Sequence, residues 1–144
     1  MRLGGIWDHV GFGFHRYSTD KKWLLPHFEK MLYDQALMMI AYTEGWQVTG
    51  KPLFKQTVFE IADYVSNKLS HKNGSFFSAE DADSDGEEGK FYVWETDEID
   101  KILSNEESDF FKTTFNMLHE GNFENEATKQ LTGKNIPFFN RCFN

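Results

Sequence analysis

The side chains best suited to moving protons in this chain gather near its start, in GGIWDHVGFGFHRYSTDKKWLLPHFEKMLYD, residues 4–34. His15 and His27, with the neighbouring carboxylates, are the candidates for a general acid or base, because imidazole exchanges protons near neutral pH. Arg16 and Tyr17 follow His15 directly. Trp7, Tyr17, Trp23 and Tyr92 offer flat faces of the kind a sugar ring packs against. Such a set supports proton transfer on a neutral, hydroxyl-rich ligand. Four glycines, Gly4, Gly5, Gly11 and Gly13, fall within ten residues just before the histidine, and glycine permits tight turns and close approach. The plain alternative is a glycine-rich loop that only caps a core.

Spacing adds a second cluster. Pro26 suits the first position of a helix, and on a helix starting there His27, Lys30 and Asp34 stand at i, i+3 and i+7 on one face. Glu29 and Tyr33 share the adjacent face. Such a row either lines a polar cleft or is a solvated face with an ordinary Lys30–Asp34 ion pair. His27 would sit at the positive end of the helix dipole.

The third cluster is acidic. Glu80, Asp81, Asp83, Asp85, Glu87 and Glu88 carry most of the net charge of −8. Asp81-Ala-Asp83-Ser-Asp85-Gly86 matches the opening of a calcium loop, but Glu88 and Tyr92 stand where a hydrophobic residue and a bidentate glutamate are needed. The carboxylates then shape the turn through backbone N–H groups, or bind cations loosely. A surface of this sign repels phosphate backbones, so nucleic acid is not an expected partner. No phosphate loop, zinc spacing or nucleophile elbow occurs, and no cofactor or metal is expected. The single Cys142 forms no internal disulfide.

The elements that position these groups follow from periodicity. The chain has 144 residues, 40% hydrophobic and 17% aromatic, which predicts one packed domain. No apolar run is long enough to span a membrane and no leader pattern opens the chain, so a cytoplasmic location is expected. Residues 1–25 read as a glycine-rich loop. Residues 26–72 read as an αα-hairpin, its first helix apolar on two faces and its second restarting at Pro52 after Gly50. Residues 74–95 read as a β-hairpin, 75–78 against 90–94, with the acidic segment at its tip. Residues 96–120 read as short helices: Thr96 caps the first, with Ile99, Ile102 and Leu103 inward, and Ser108 or Asp109 caps the second, with Phe110, Phe111, Phe115 and Leu118 inward. Residues 121–144 read as an irregular tail. The order helix, helix, hairpin, helix, helix predicts a mainly α fold, a partial (α/α)6 toroid of αα-hairpins with a short β-hairpin insertion.

Three segments, HRYS, PHFEKMLYD and DADSDGEEGKFYVW, are distinctive in combination. From about residue 2 to residue 123 the chain resembles the DUF255 family of thioredoxin-domain proteins, the YyaL-type and spermatogenesis-associated-protein-20-like proteins. The resemblance implies a thioredoxin-like domain followed by a six-hairpin glycosidase-like toroid similar to N-acylglucosamine 2-epimerase and cellobiose epimerase. It places the glycine-rich loop and the acidic hairpin over a central cavity. His15, His27, Glu29 and Asp34 are then the catalytic candidates. Arg16, Tyr17, Trp23, Lys30, Asp81, Asp83, Glu88, Lys90, Tyr92 and Trp94 are the ligand-binding candidates.

Three departures qualify it. Phe12 stands where the family has glycine, residues 125–132 intervene before Gly133-Lys134-Asn135-Ile136, and the thioredoxin-like domain and most of the toroid lie outside this sequence. The chain therefore reads as an internal portion of a carbohydrate-active, epimerase- or isomerase-like toroid, inactive alone, with a neutral carbohydrate as ligand. The alternatives are a non-catalytic interaction module and a structural remnant. With too few hairpins to close a ring, the two-sided first helix predicts self-association.

Overall fold

The computed structural model describes residues 1–125 and 128–139. Cys142 and Phe143 of the tail lie outside the described residues. Two long helices, α1 (Leu32–Thr49) and α2 (Pro52–Lys68), pack along each other and carry the remaining chain on one side. Gly50, at φ 67°, ends α1, and Pro52 at the start of α2 gives up an N–H that a first turn leaves unpaired anyway. Gly45 lets the Phe54 ring lie directly against α1.

The first helix begins six residues later than the sequence spacing predicts. Pro26–His27 (β2) pairs antiparallel with Tyr17–Ser18 (β1), and Lys30–Met31 (β3) pairs with Ala79–Glu80 (β4). Along this extended stretch burial alternates, with Pro26, Phe28 and Lys30 buried and His27, Glu29 and Met31 half-exposed. That is the period of a strand, not of a helix. His27, Lys30 and Asp34 therefore share no helical face, His27 meets no helix N-terminus, and Lys30 pairs with Asp8 rather than Asp34.

The acidic segment is itself a hairpin. Asp83–Ser84 (β5) pairs with Glu87–Glu88 (β6) across a two-residue Asp85-Gly86 turn with φ values of 53° and 78°, the left-handed conformation that Asp-Gly adopts readily. Residues 75–78 and 90–94 do not pair with each other. Phe77 N–H bonds back to Leu69 at the end of α2, and Leu32 N–H bonds Ser78. Trp94 instead bridges to Asn135.

Two short helices follow, α3 (Thr96–Ile102) and α4 (Asn105–Thr114). Their caps are Glu95 and Ser104, not Thr96 and Ser108 or Asp109. Ser108 is fully buried inside α4, where its hydroxyl bonds Asp100. Ile99 faces inward, but Ile102, Phe110 and Leu118 face solvent. The tail is less irregular than its composition suggests. Asn135 is fully buried, accepting Leu118 N–H at 2.8 Å and donating to the carbonyls of Trp94, Leu118 and Gly133. Ile136 joins Phe28, Ala82 and Tyr92 in one core cluster, while Ile6, Trp7, Phe14 and Ile61 form another over the helix pair. Among the described residues no helix is long and apolar enough to cross a membrane.

Candidate functional site

The glycine-rich loop reaches the helices through one polar side chain. Gln35, fully buried in the first turn of α1, accepts Phe14 N–H at 2.9 Å and donates to Phe14 O at 2.7 Å. Its amide pairs with that peptide as a neighbouring strand would. Gly13, at φ 82°, lies against the Tyr64 ring, where a Cβ would stand 2.8 Å from a ring carbon. These two contacts hold His15, Arg16 and Tyr17 over the start of α1.

The result is an open cleft of about 570 Å³ whose walls include His15, Arg16, Tyr17, Trp23, Asp34 and Met38. Asp20 builds its outer wall by accepting N–H bonds from Lys22, Leu24 and Leu25, at 2.7, 3.2 and 2.9 Å. Burial works against the Asp20 carboxylate, but those three bonds win and hold its pKa below the usual range. Trp23, carried on that wall, sits at φ 61° and is 43% exposed. A non-glycine residue in the left-handed region is strained, and such strain concentrates where function needs it.

Asp34 is the unusual group in the cleft. Its Oδ2 is buried with no hydrogen-bond partner. Burial and the Glu29 charge raise its pKa, and Arg16 only partly offsets them. Arg16 is anchored by Glu29, Nη1 to Oε2 at 2.9 Å, with its guanidinium half exposed. A carboxyl whose pKa is raised, a cation beside it and two aromatic faces at the rim can bind a hydroxylated ring and exchange a proton with it.

His15 forms part of a second wall. It is 3% exposed, donates from Nδ1 to Phe28 O at 2.9 Å and packs edge-on to Tyr92. Burial, reinforced by the Lys30 charge, lowers its pKa to about 3, so the neutral ring persists at physiological pH with its lone pair on Nε2. Behind it lies a more enclosed cavity of about 240 Å³, lined also by Trp7, Lys30, Tyr64, Tyr92 and Trp94. There Lys30 is committed to structure. Its ammonium bonds Asp8 Oδ2 at 2.7 Å and Phe12 O at 2.8 Å, between the Tyr64 and Tyr92 rings.

The remaining candidates stand elsewhere. His27 donates to Glu88 Oε1 at 2.6 Å and stacks on Tyr17 in a separate groove. Lys90 pairs with Asp85 on the surface. Asp83 is exposed, and Asp81 accepts Asp83 N–H at 3.1 Å, which shapes the turn. The acidic tip thus touches His27 but does not line the cleft. Three adjoining hollows, joined at His15 and Tyr17, replace the single hollow expected from the sequence. Sequence reasoning missed Asp8, Gln35, Tyr64 and Glu80, whose partners lie far along the chain. Among the described residues no group of three or more His, Cys, Asp or Glu side chains could hold a metal ion.

A helix pair carrying polar clefts on its looped side is the class of structure these features define. No family model matches the chain. It is 50% identical over 109 residues to spermatogenesis-associated protein 20 of mouse and of human, covering 72% of this chain and 14% of each of those proteins. An uncharacterised Caenorhabditis elegans protein is 44% identical over 112 residues, again across 72% of this chain and 15% of its own length. These matches support the spermatogenesis-associated protein 20 family for the matched part of the chain. The chain spans about one seventh of the curated relatives it matches.

Proposed function

We propose that the cleft at Asp34 is part of a carbohydrate site, in a segment of an epimerase- or isomerase-like α/α toroid of the thioredoxin-domain type. Asp34 carries the proton, Arg16 orients the ligand and steadies developing negative charge, and Trp23 and Tyr17 flank the ring. His15 completes the wall as a neutral hydrogen-bond acceptor. His27 lies with Glu88 in the separate groove and is given no role in this cleft. The observation that carries this reading is the cleft that gathers Asp34, with its raised pKa, Arg16, Tyr17 and Trp23 on shared walls. A perturbed titratable group, a cation and aromatic faces around one concavity are the usual marks of a binding site. Turnover is a property of the longer protein, because one wall does not hold a substrate rigidly. Titration with a neutral monosaccharide, followed at the Trp23 indole N–H by NMR, tests the site directly.

A non-catalytic interaction module is the second reading. It is favoured by the uncovered side of α1, where Tyr33, Leu37 and Ile40 are 48%, 62% and 56% exposed. Apolar side chains in such a row seek a cover.

A further inference from the structure

We propose that Asn73 is a site of spontaneous covalent modification, where the side-chain amide closes on the Gly74 nitrogen and is then hydrolysed to aspartate and isoaspartate. Asn73 and Gly74 form the tip of a small hairpin that follows α2. His71 N–H bonds Ser75 O at 2.8 Å, Gly74 N–H bonds His71 O at 2.9 Å, and Ser70 bridges to Phe76. The segment from His71 to Ser78 is exposed, and its tip lines none of the hollows described above.

Three features single out this residue. It is the only asparagine in the sequence followed by glycine, so no side chain shields the nitrogen that must attack. Gly74 stands at φ 87° with nothing within 4 Å of the position a Cβ would take, so no packed neighbour resists ring closure. Finally, Asn73 Oδ1 accepts the Ser75 N–H at 3.0 Å and the Ser75 hydroxyl at 2.7 Å. These donors draw the amide carbonyl across the Gly74 peptide. They also point at the oxygen on which negative charge collects as Cγ becomes tetrahedral, as in a small oxyanion hole. Asn122 and Asn135, by contrast, commit both ends of their amides to backbone groups in the fold.

In the first step the Gly74 nitrogen forms a bond to Asn73 Cγ and gives up its proton. The Cγ–Nδ2 bond breaks, and Nδ2 leaves with that proton as ammonia. Water then opens the cyclic imide at either carbonyl. Breaking the new bond leaves aspartate, and breaking the original peptide bond leaves isoaspartate. Either product adds a negative charge to the tip. Isoaspartate also lengthens the main chain by one atom, which disturbs the His71–Ser75 pairing. The step that opposes closure is release of the Gly74 N–H from His71 O, an exposed bond at a loop tip where local opening is easiest.

The test incubates the full chain in mildly alkaline buffer and follows each asparagine by peptide mass spectrometry, with isoaspartate-specific enzymatic methylation in parallel. Asn73 is expected to convert ahead of every other asparagine, with isoaspartate among the products. Ser75→Ala should slow the conversion by about three- to tenfold, the share of one hydrogen bond. In urea, where the turn is lost, that substitution should leave the rate unchanged. The proposal is overturned if Asn73 stays an amide in the folded chain over a period in which the urea-unfolded chain converts, or if folded Ser75→Ala converts as fast as the wild type.

Discussion

The ammonium of Lys30 lies 2.7 Å from Asp8 Oδ2, although 22 residues separate the two in sequence. This pair ties the glycine-rich loop to the strand that leads into α1. Burial disfavours the Asp8 carboxylate, but the Lys30 charge and the Gly11 and Val10 N–H groups outweigh it, and the pKa lies below the usual range. Removing one partner strands the other charge. Asp8→Asn or Lys30→Met should each destabilise the chain by about 3–5 kcal/mol, the cost of breaking a buried pair. The double variant Asp8→Asn/Lys30→Met should recover part of that loss, and urea unfolding of the three variants checks the cycle.

Two histidines give the stability a pH slope. Burial holds the pKa of His15 at about 3 and that of His9 at about 4, while in the unfolded chain each titrates near about 6.5. As pH falls from about 6.5, the unfolded state takes up protons that the native state refuses, so stability drops. Each histidine contributes on the order of 1.4 kcal/mol per pH unit in that window. Asp8 adds to the loss at lower pH, because a depressed carboxylate stabilises only above its unfolded pKa, about 3.9. His15→Gln retains a donor for Phe28 O and should flatten the curve by one histidine's share in chemical denaturation at pH 7, 6 and 5.

The Asp34 carboxyl should titrate above an ordinary aspartate, as read by carbonyl carbon NMR. Arg16→Gln should raise that pKa further, because a favourable cation is lost. Glu29→Gln should lower it, because a like charge is lost. Opposite shifts from two neighbours 13 residues apart would be hard to produce by general loosening of the fold.

Self-association should run through α1. We propose that the Tyr33, Leu37 and Ile40 face pairs with a second copy in the isolated chain. Sedimentation at micromolar concentration should show a dimer or larger species, and Leu37→Glu/Ile40→Glu should convert it to monomer without loss of helicity. A compact wild-type monomer would leave the exposed face unexplained by this route.

Some of this architecture is legible in the residues and some is hidden by them. Gly50 and Pro52 announce the break between α1 and α2, and Asp85-Gly86 announces a tight turn. The stretch from Pro26 to Met31 misleads because a lysine occupies an inward position. With Lys30 counted as polar, the alternation of Pro26, Phe28 and Lys30 disappears, and Pro26 looks like a helix start. Gln35, Ser108 and Asn135 are hidden for a related reason. Each is polar and fully buried, and its partners are backbone groups or side chains that only the folded chain brings near. His15, Arg16, Tyr17 and Asp34 come together in the sequence only through the family resemblance, since spacing alone puts Asp34 with His27 and Lys30 on one helical face. His27 was assigned to the same set because a helix, unlike the strand it occupies, would have turned it toward Asp34.

The most direct test of the central claim is a monosaccharide titration of the wild-type chain and of Asp34→Asn, read at the Trp23 indole N–H with thermal unfolding in parallel. A saturable wild-type shift is predicted, lost in Asp34→Asn, while the Tm of that variant is unchanged or higher at neutral pH because a poorly solvated charge has been removed. A Trp23 signal that ignores sugar, or one that responds identically in a stable Asp34→Asn chain, would contradict the account.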